Sequence, residues 1–130
     1  AVYHDPCYLG RHHGLYDPPR RVLGAMKGLE VVEFEQSRED SVCCGGGSPR
    51  TWLEDDPGQG VADERAAEAV ELGAEVIVTP CPYCIQIFEE SLNKIDASGI
   101  EVRDVVELAA CWWPYAPEEE DQTFGTYSTA

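Results

Sequence analysis

At 130 residues and 43% hydrophobic content, the chain is one domain's worth and can bury a core without staples. Its 25 acidic against 9 basic residues, a formal charge of −16, exclude nucleic acid and anionic lipid surfaces as partners. No apolar run approaches the roughly 18 residues that span a bilayer, and no basic n-region opens the chain, so the expectation is a soluble protein without an export signal.

Taken in order, residues 1–6 read as a short strand: Val2 and Tyr3 favour extended structure, and Asp5-Pro6 breaks it just before Cys7. Residues 8–16 carry two glycines and no helical period, which predicts a loop. A helix is expected after Asp17, with Pro18 and Pro19 in its first turn, Val22, Leu23 and Met26 on one face, and Gly28 as its stop. Residues 29–34 read as a buried strand, and a polar stretch then leads to Val42-Cys43-Cys44-Gly45-Gly46-Gly47-Ser48-Pro49-Arg50.

Trp52, several acids, Pro57 and two glycines predict an irregular loop over 51–60. From 61 to 72, Ala62, Ala66, Ala69 and Val70 recur at helical spacing, with Gly73 placed past the end. Residues 75–79 form the clearest strand and stop at Pro80, immediately before Cys81. Cys84, Ile87, Phe88, Leu92 and Ile95 mark one face of a helix whose N-terminal dipole favours thiolate at Cys84. Residues 100–103 suggest a fourth strand, and Asp104 with Glu107 resembles a capping box opening a last helix through about Cys111.

Strands alternating with helices predict an α/β fold: a Rossmann-like parallel sheet of about four strands with flanking helices and right-handed crossovers. Ligands of such sheets gather outside the strand carboxyl ends, and three strands each deliver cysteine there. The domain is expected to occupy residues 1–111. From Trp112 to residue 130, an aromatic, acidic and then Thr/Ser/Gly-rich tail reads as extended or disordered.

Five of the six cysteines form one constellation, Cys7, Cys43-Cys44 and Cys81-Pro82-Tyr83-Cys84. Adjacent cysteines rarely bond to each other, because the small ring strains the peptide and the disulfide. In the reducing compartment expected of a chain without an export signal, such clusters mean metal or catalysis. Iron–sulfur clusters require thiolate ligands, and a fifth cysteine exceeds what an ordinary cubane uses. Two other readings remain: a structural zinc site holding together an interaction module, and a metal-free dithiol oxidoreductase working through the CxxC at a helix start.

The whole pattern, with His4-Asp5-Pro6-Cys7-Tyr8-Leu9-Gly10-Arg11 and Cys43-Cys44-Gly45-Gly46-Gly47, resembles the cysteine-rich CCG domain of heterodisulfide reductase catalytic subunits and related iron–sulfur oxidoreductase subunits, in particular their C-terminal copy. The resemblance covers roughly residues 1 to 110. It implies an iron–sulfur cluster of the 4Fe-4S type, non-cubane in heterodisulfide reductase, on Cys7, Cys43, Cys44, Cys81 and Cys84. It also implies electron transfer or thiol/disulfide reduction, with ferredoxin-like, flavoprotein or quinone-linked modules as partners. The expected place is cytoplasmic, or at the inner face of the membrane through a partner. Family members usually carry two such domains, so this chain reads as a domain of a larger oxidoreductase rather than a complete enzyme. Ser48-Pro49 departs from the expected glycine-like continuation.

Around this constellation, His4 is weighed as a hydrogen-bond donor to cluster sulfur against a solvated loop residue, and His12 and His13 less so. Arg11 and Arg50 could face an anion, although surface charges need no such role. Cys111, outside the motif, is expected to be a buried apolar thiol. No Lys-Ser/Thr follows the glycines, which argues against a phosphate loop. The acidity itself reads as a solvated surface of the kind a high-salt cytoplasm favours, rather than a docking face.

Overall fold

The structure, a computed structural model, describes residues 1–46 and 60–112. Among the described residues, four short strands, β1 (Val2–Tyr3), β2 (Val32–Glu33), β3 (Val76–Val78) and β4 (Glu101–Arg103), alternate with four α-helices, α1 (Asp17–Gly24), α2 (Val61–Glu71), α3 (Pro82–Lys94) and α4 (Val105–Trp112). All strand pairs are parallel, in the order β2-β1-β3-β4. Register pairs Val2 with Val32 on one side and Ile77 on the other, and Ile77 with Val102. This is the predicted α/β fold.

The strand order reverses direction between β1 and β3, which is where open parallel sheets hold their ligands. Strand alternation builds one core on each face. Val2, Ile77 and Val102 pack with Phe34, Ala66, Ala69, Phe88 and Leu92 under α2 and α3. Tyr3 and Val78 pack with Leu23, Met26 and Val105 under α1 and α4. The alanine stripe of α2 lets that helix lie close to the sheet, and Cys84, Phe88, Ser91 and Leu92 form the buried stripe of α3.

Helix ends follow local chemistry. Pro18 and Pro19 open α1, as expected, but it closes at Gly24 rather than reaching Gly28, because the following amides turn back to carbonyls only three residues earlier. At α2 the Asp63 carboxylate accepts from the Gly60 N–H at 3.0 Å, the return half of a capping box. Pro82 occupies the first turn of α3, where no amide donor is needed.

Three expectations are corrected. Residues 8–12 are not a loop but a π-helical turn, Tyr8–His12, closed against α1 where Gly10 lies so near the Tyr16 ring that a Cβ would sit 2.7 Å from it. Helix α4 runs one residue past its expected end at about Cys111, through Trp112, whose indole N–H donates to the Lys27 carbonyl at 3.1 Å. Cys111 is exposed rather than buried, because α4 turns Val105, Leu108, Ala109 and Trp112 toward the sheet and α1 and leaves position 111 off that stripe. Arg50, Ser48-Pro49, the loop from 51 and the tail from 113 lie outside the described residues. Among the described residues no helix is long and apolar enough to cross a membrane.

Candidate functional site

The site is assembled at the carboxyl ends of β1, β2 and β3. Cys7 follows β1 and starts the π-helical turn. Cys43 and Cys44 follow β2 by way of a 3-10 turn at Arg38–Asp40. Cys81 caps α3 directly after β3, and Cys84 lies within its first turn. All six cysteines are free thiols. Cys44 and Cys84 are buried, whereas Cys7, Cys43 and Cys81 are half-buried and form the rim.

The inner pair is tight, with the Cys44 and Cys84 Sγ atoms 3.1 Å apart. The hydrogen bond from Cys84 draws the Cys44 thiol well below its ordinary value despite burial, with His4 and the Gly46 N–H helping. Cys84 is pushed far up in turn, by that same bond, by burial and by the charges of Cys44 and Cys81. The same contact thus shifts the two thiols in opposite directions, since burial disfavours two naked charges side by side. Burial raises Cys43 as well, against its own Gly45 N–H contact, with Cys44 and Cys7 adding to the rise. These influences tie all five motif cysteines into one electrostatic neighbourhood.

Two glycines shape the loop around the vicinal pair. Gly45 has φ +84°, a left-handed conformation that favours glycine. It turns the chain so that the Gly45 N–H donates to Cys43 Sγ at 3.4 Å and the Gly46 N–H to Cys44 Sγ at 3.5 Å. Gly46 then lies flush on α3, where a Cβ would meet Ile87 Cγ1 at 2.7 Å and the Tyr83 carbonyl at 3.3 Å.

Asp5 holds the rim in place. Arg20 grips it bidentately at 2.7 Å through both Nη atoms, and the Arg38 N–H donates to the same carboxylate at 2.8 Å. Burial opposes ionisation of Asp5, but these bonds keep its carboxyl below the usual range. Arg20 also bonds Glu33 at 2.6 and 2.7 Å and lies over the Tyr3 ring, so α1, β1 and β2 are locked together beneath Cys7. Arg11 donates to the Ser41 carbonyl at 2.9 Å and lines, with Arg38, Cys7 and Cys43, a small cleft at the rim.

Of the histidines, His4 is fully buried, its ring set edge-on to Phe88 at 4.8 Å and to Phe34 at 6.4 Å. One of its nitrogens and the sulfurs of Cys44 and Cys84 all lie within 4.8 Å of one another. His12 and His13 are exposed, ranged around the Tyr8 ring. Sequence reasoning missed Asp5 and Arg20, whose pairing spans two elements, and Thr79, whose buried hydroxyl ends β3. The only signal for Thr79 was a polar residue closing an apolar strand just before Pro80.

A family model described as CCG, cysteine-rich domain, matches residues 1–89. The chain is 39% identical over 110 residues to the Probable iron-sulfur-binding oxidoreductase FadF of Bacillus subtilis, covering 84% of this chain and 16% of that protein. It is 38% identical over 115 residues to the EtfAB:quinone oxidoreductase of Syntrophomonas wolfei, covering 82% and 16%. It is also 38% identical over 110 residues to a Dihydromethanophenazine:CoB–CoM heterodisulfide reductase subunit from Methanosarcina acetivorans, covering 85% and 27%. The chain thus spans between 16% and 27% of the length of these relatives. No solved structure matches it.

Proposed function

Because the chain belongs to the CCG cysteine-rich domain family, we propose that it is an iron–sulfur redox module in which Cys7, Cys43, Cys44, Cys81 and Cys84 hold the cluster. The observation that carries this reading is the convergence of thiols from three strand ends on the buried Cys44–Cys84 pair. The donor set fits: soft thiolates are what such clusters take. The mononuclear alternative, zinc on His4, Cys44 and Cys84, uses three atoms within 4.8 Å of one another but leaves Cys7, Cys43 and Cys81 without work.

A bound cluster, of the 4Fe-4S class and non-cubane in our reading, supplies one-electron chemistry. The chain's own residues do the rest. Cys44 and Cys84 anchor at depth, where the Phe34 and Phe88 rings keep the site dry. Amides of Gly45 and Gly46 donate to the vicinal sulfurs. The half-buried rim of Cys7, Cys43 and Cys81 is where electrons or a disulfide substrate approach.

The module works in our reading within a larger oxidoreductase, exchanging electrons with a ferredoxin-like, flavoprotein or quinone-linked partner and carrying out electron transfer or thiol/disulfide reduction. Its place is cytoplasmic, or at the inner membrane face through such a partner. Residues 1–111 are the cysteine-rich unit in this proposal. The test is the visible and low-temperature electron paramagnetic resonance spectra of anaerobically purified chain: a brown protein with an iron–sulfur signal supports the reading, and a colourless, silent zinc protein overturns it.

A further inference from the structure

Among the described residues, buried polar atoms without a hydrogen-bond partner occur on Tyr3, His4, Arg65 and Thr79, and two of these, His4 and Thr79, close the central strands. His4 and Thr79 are both 0% exposed, and neither a His4 ring nitrogen nor Thr79 Oγ1 has a partner at full hydrogen-bond geometry, although the His4 ring lies near enough to Cys44 to bear on its thiol. Leaving such groups unsatisfied costs as much as a lost hydrogen bond, so each calls for an explanation.

They also sit side by side. Tyr3 pairs with Val78 across β1 and β3, and the His4 N–H donates to the Val78 carbonyl at 2.9 Å, so the next pair in register is His4 and Thr79. Alternation sends Val2 and Ile77 to the α2 and α3 face, Tyr3 and Val78 to the other, and returns His4 and Thr79 to the first. The contacts of the His4 ring with Phe34 and Phe88 agree with this placement. Both residues close the central strands at the point where sheet order reverses, and a His4 nitrogen lies within 4.8 Å of the Cys44 and Cys84 sulfurs.

We propose that His4 and Thr79 are positioning residues that donate hydrogen bonds, from a ring N–H and a hydroxyl, to the sulfur of this site and thereby set the reduction potential of the cluster it holds. The inference rests on the iron–sulfur reading above. Donors to sulfur stabilise the more negative reduced state and raise the potential. The aromatic walls on either side of the imidazole keep water from competing for it, which strengthens each such bond. His4 is not a ligand in this account, since the five thiols supply the donor set.

The experiment uses the iron-loaded 130-residue chain and reads nitrogen couplings by pulsed paramagnetic resonance together with the midpoint potential. The wild type should show a weak imidazole nitrogen coupling that His4→Phe removes. His4→Phe should move the potential to a more negative value at unchanged iron content, and His4→Gln, which keeps an N–H donor, should restore part of the shift. Thr79→Val, nearly isosteric, should give a smaller shift of the same sign. Absence of nitrogen coupling, a strong coupling of the kind direct ligation gives, or an unmoved potential in both His4→Phe and Thr79→Val overturns the proposal. Should His4→Phe fail to fold, the wild-type coupling and Thr79→Val still decide. A wild type without iron removes the iron–sulfur reading and this inference together, whereas an iron-loaded wild type without the coupling removes this inference alone.

Discussion

Cys44 and Cys84, 40 residues apart in sequence, hold their sulfur atoms 3.1 Å from each other in the core of the domain. That contact joins the loop after β2 to the first turn of α3, so whatever the sulfurs bind also fastens these two segments. A cluster held there, as we propose, would link binding to local folding, because ligand affinity adds to stability.

The linkage predicts how cysteine variants divide. Cys44→Ala and Cys84→Ala should each lose cluster iron while keeping most of the helical circular dichroism, because α1 and α4 pack in the other core and α2 is also held by Val2, Ile77 and Phe88. Cys111→Ala, on the exposed side of α4, should keep iron unchanged. Stoichiometric iron in Cys44→Ala would contradict its place as a ligand.

Gly46 tests the close packing of the vicinal loop on α3. In Gly46→Ala the new methyl meets Ile87 at 2.7 Å and the Tyr83 carbonyl at 3.3 Å. Overpacking of this kind costs about 1–3 kcal/mol. The urea midpoint should fall with little change in slope, and combined with Ile87→Ala, which removes the Cγ1 it meets, Gly46→Ala should cost less than it does alone. An unchanged midpoint in the single variant would mean that the loop does not rest on α3.

Arg20 anchors the segment that leads into Cys7. Its side chain is 12% exposed and that of Asp5 2%, so Arg20→Ala strands a buried carboxylate. Breaking such a pair costs roughly 3–5 kcal/mol. Arg20→Lys should lose less but still be measurable, because an ammonium cannot reproduce the two-pronged grip on Asp5 and Glu33. Equilibrium denaturation of the three proteins checks the order, and a lysine variant as stable as wild type would refute the geometric argument.

Acid should find Asp63. Burial works to raise its carboxyl, but Lys94, the Gly60 N–H and Ser91 outweigh that and hold it below the usual range. A carboxyl depressed in the folded state stabilises the fold fully above its unfolded value, about 3.9, and the stabilisation is lost as pH falls through the lower folded value. Stability measured from neutral pH downward should therefore decline below about pH 4 less steeply in Asp63→Asn than in wild type. Identical acid limbs would show that Asp63 is not held low.

What the sequence made legible was whatever depended on neighbours in the chain. The run of Val76, Ile77 and Val78 closed by Pro80, the proline-opened helix at Asp17 and the placing of cysteines just after three strands are local patterns, and each is found in the fold. The features that escaped depend on contacts between distant elements. The exposure of Cys111 follows from which stripe of α4 meets α1, while the turn at Tyr8–His12, with Tyr16 close on Gly10, lacks any periodic pattern to announce it. The Asp5–Arg20–Glu33 network joins three elements, and the β1–β3 register that brings His4 level with Thr79 exists only once those strands are side by side. His4 itself was legible as a neighbour of Cys7, but its burial between Phe34 and Phe88 was not.

The most direct test of the central claim is the iron, zinc and acid-labile sulfide content of anaerobically purified chain. The account predicts about four irons per chain with matching sulfide and no stoichiometric zinc. One zinc without sulfide would contradict it and make the five convergent cysteines a structural site.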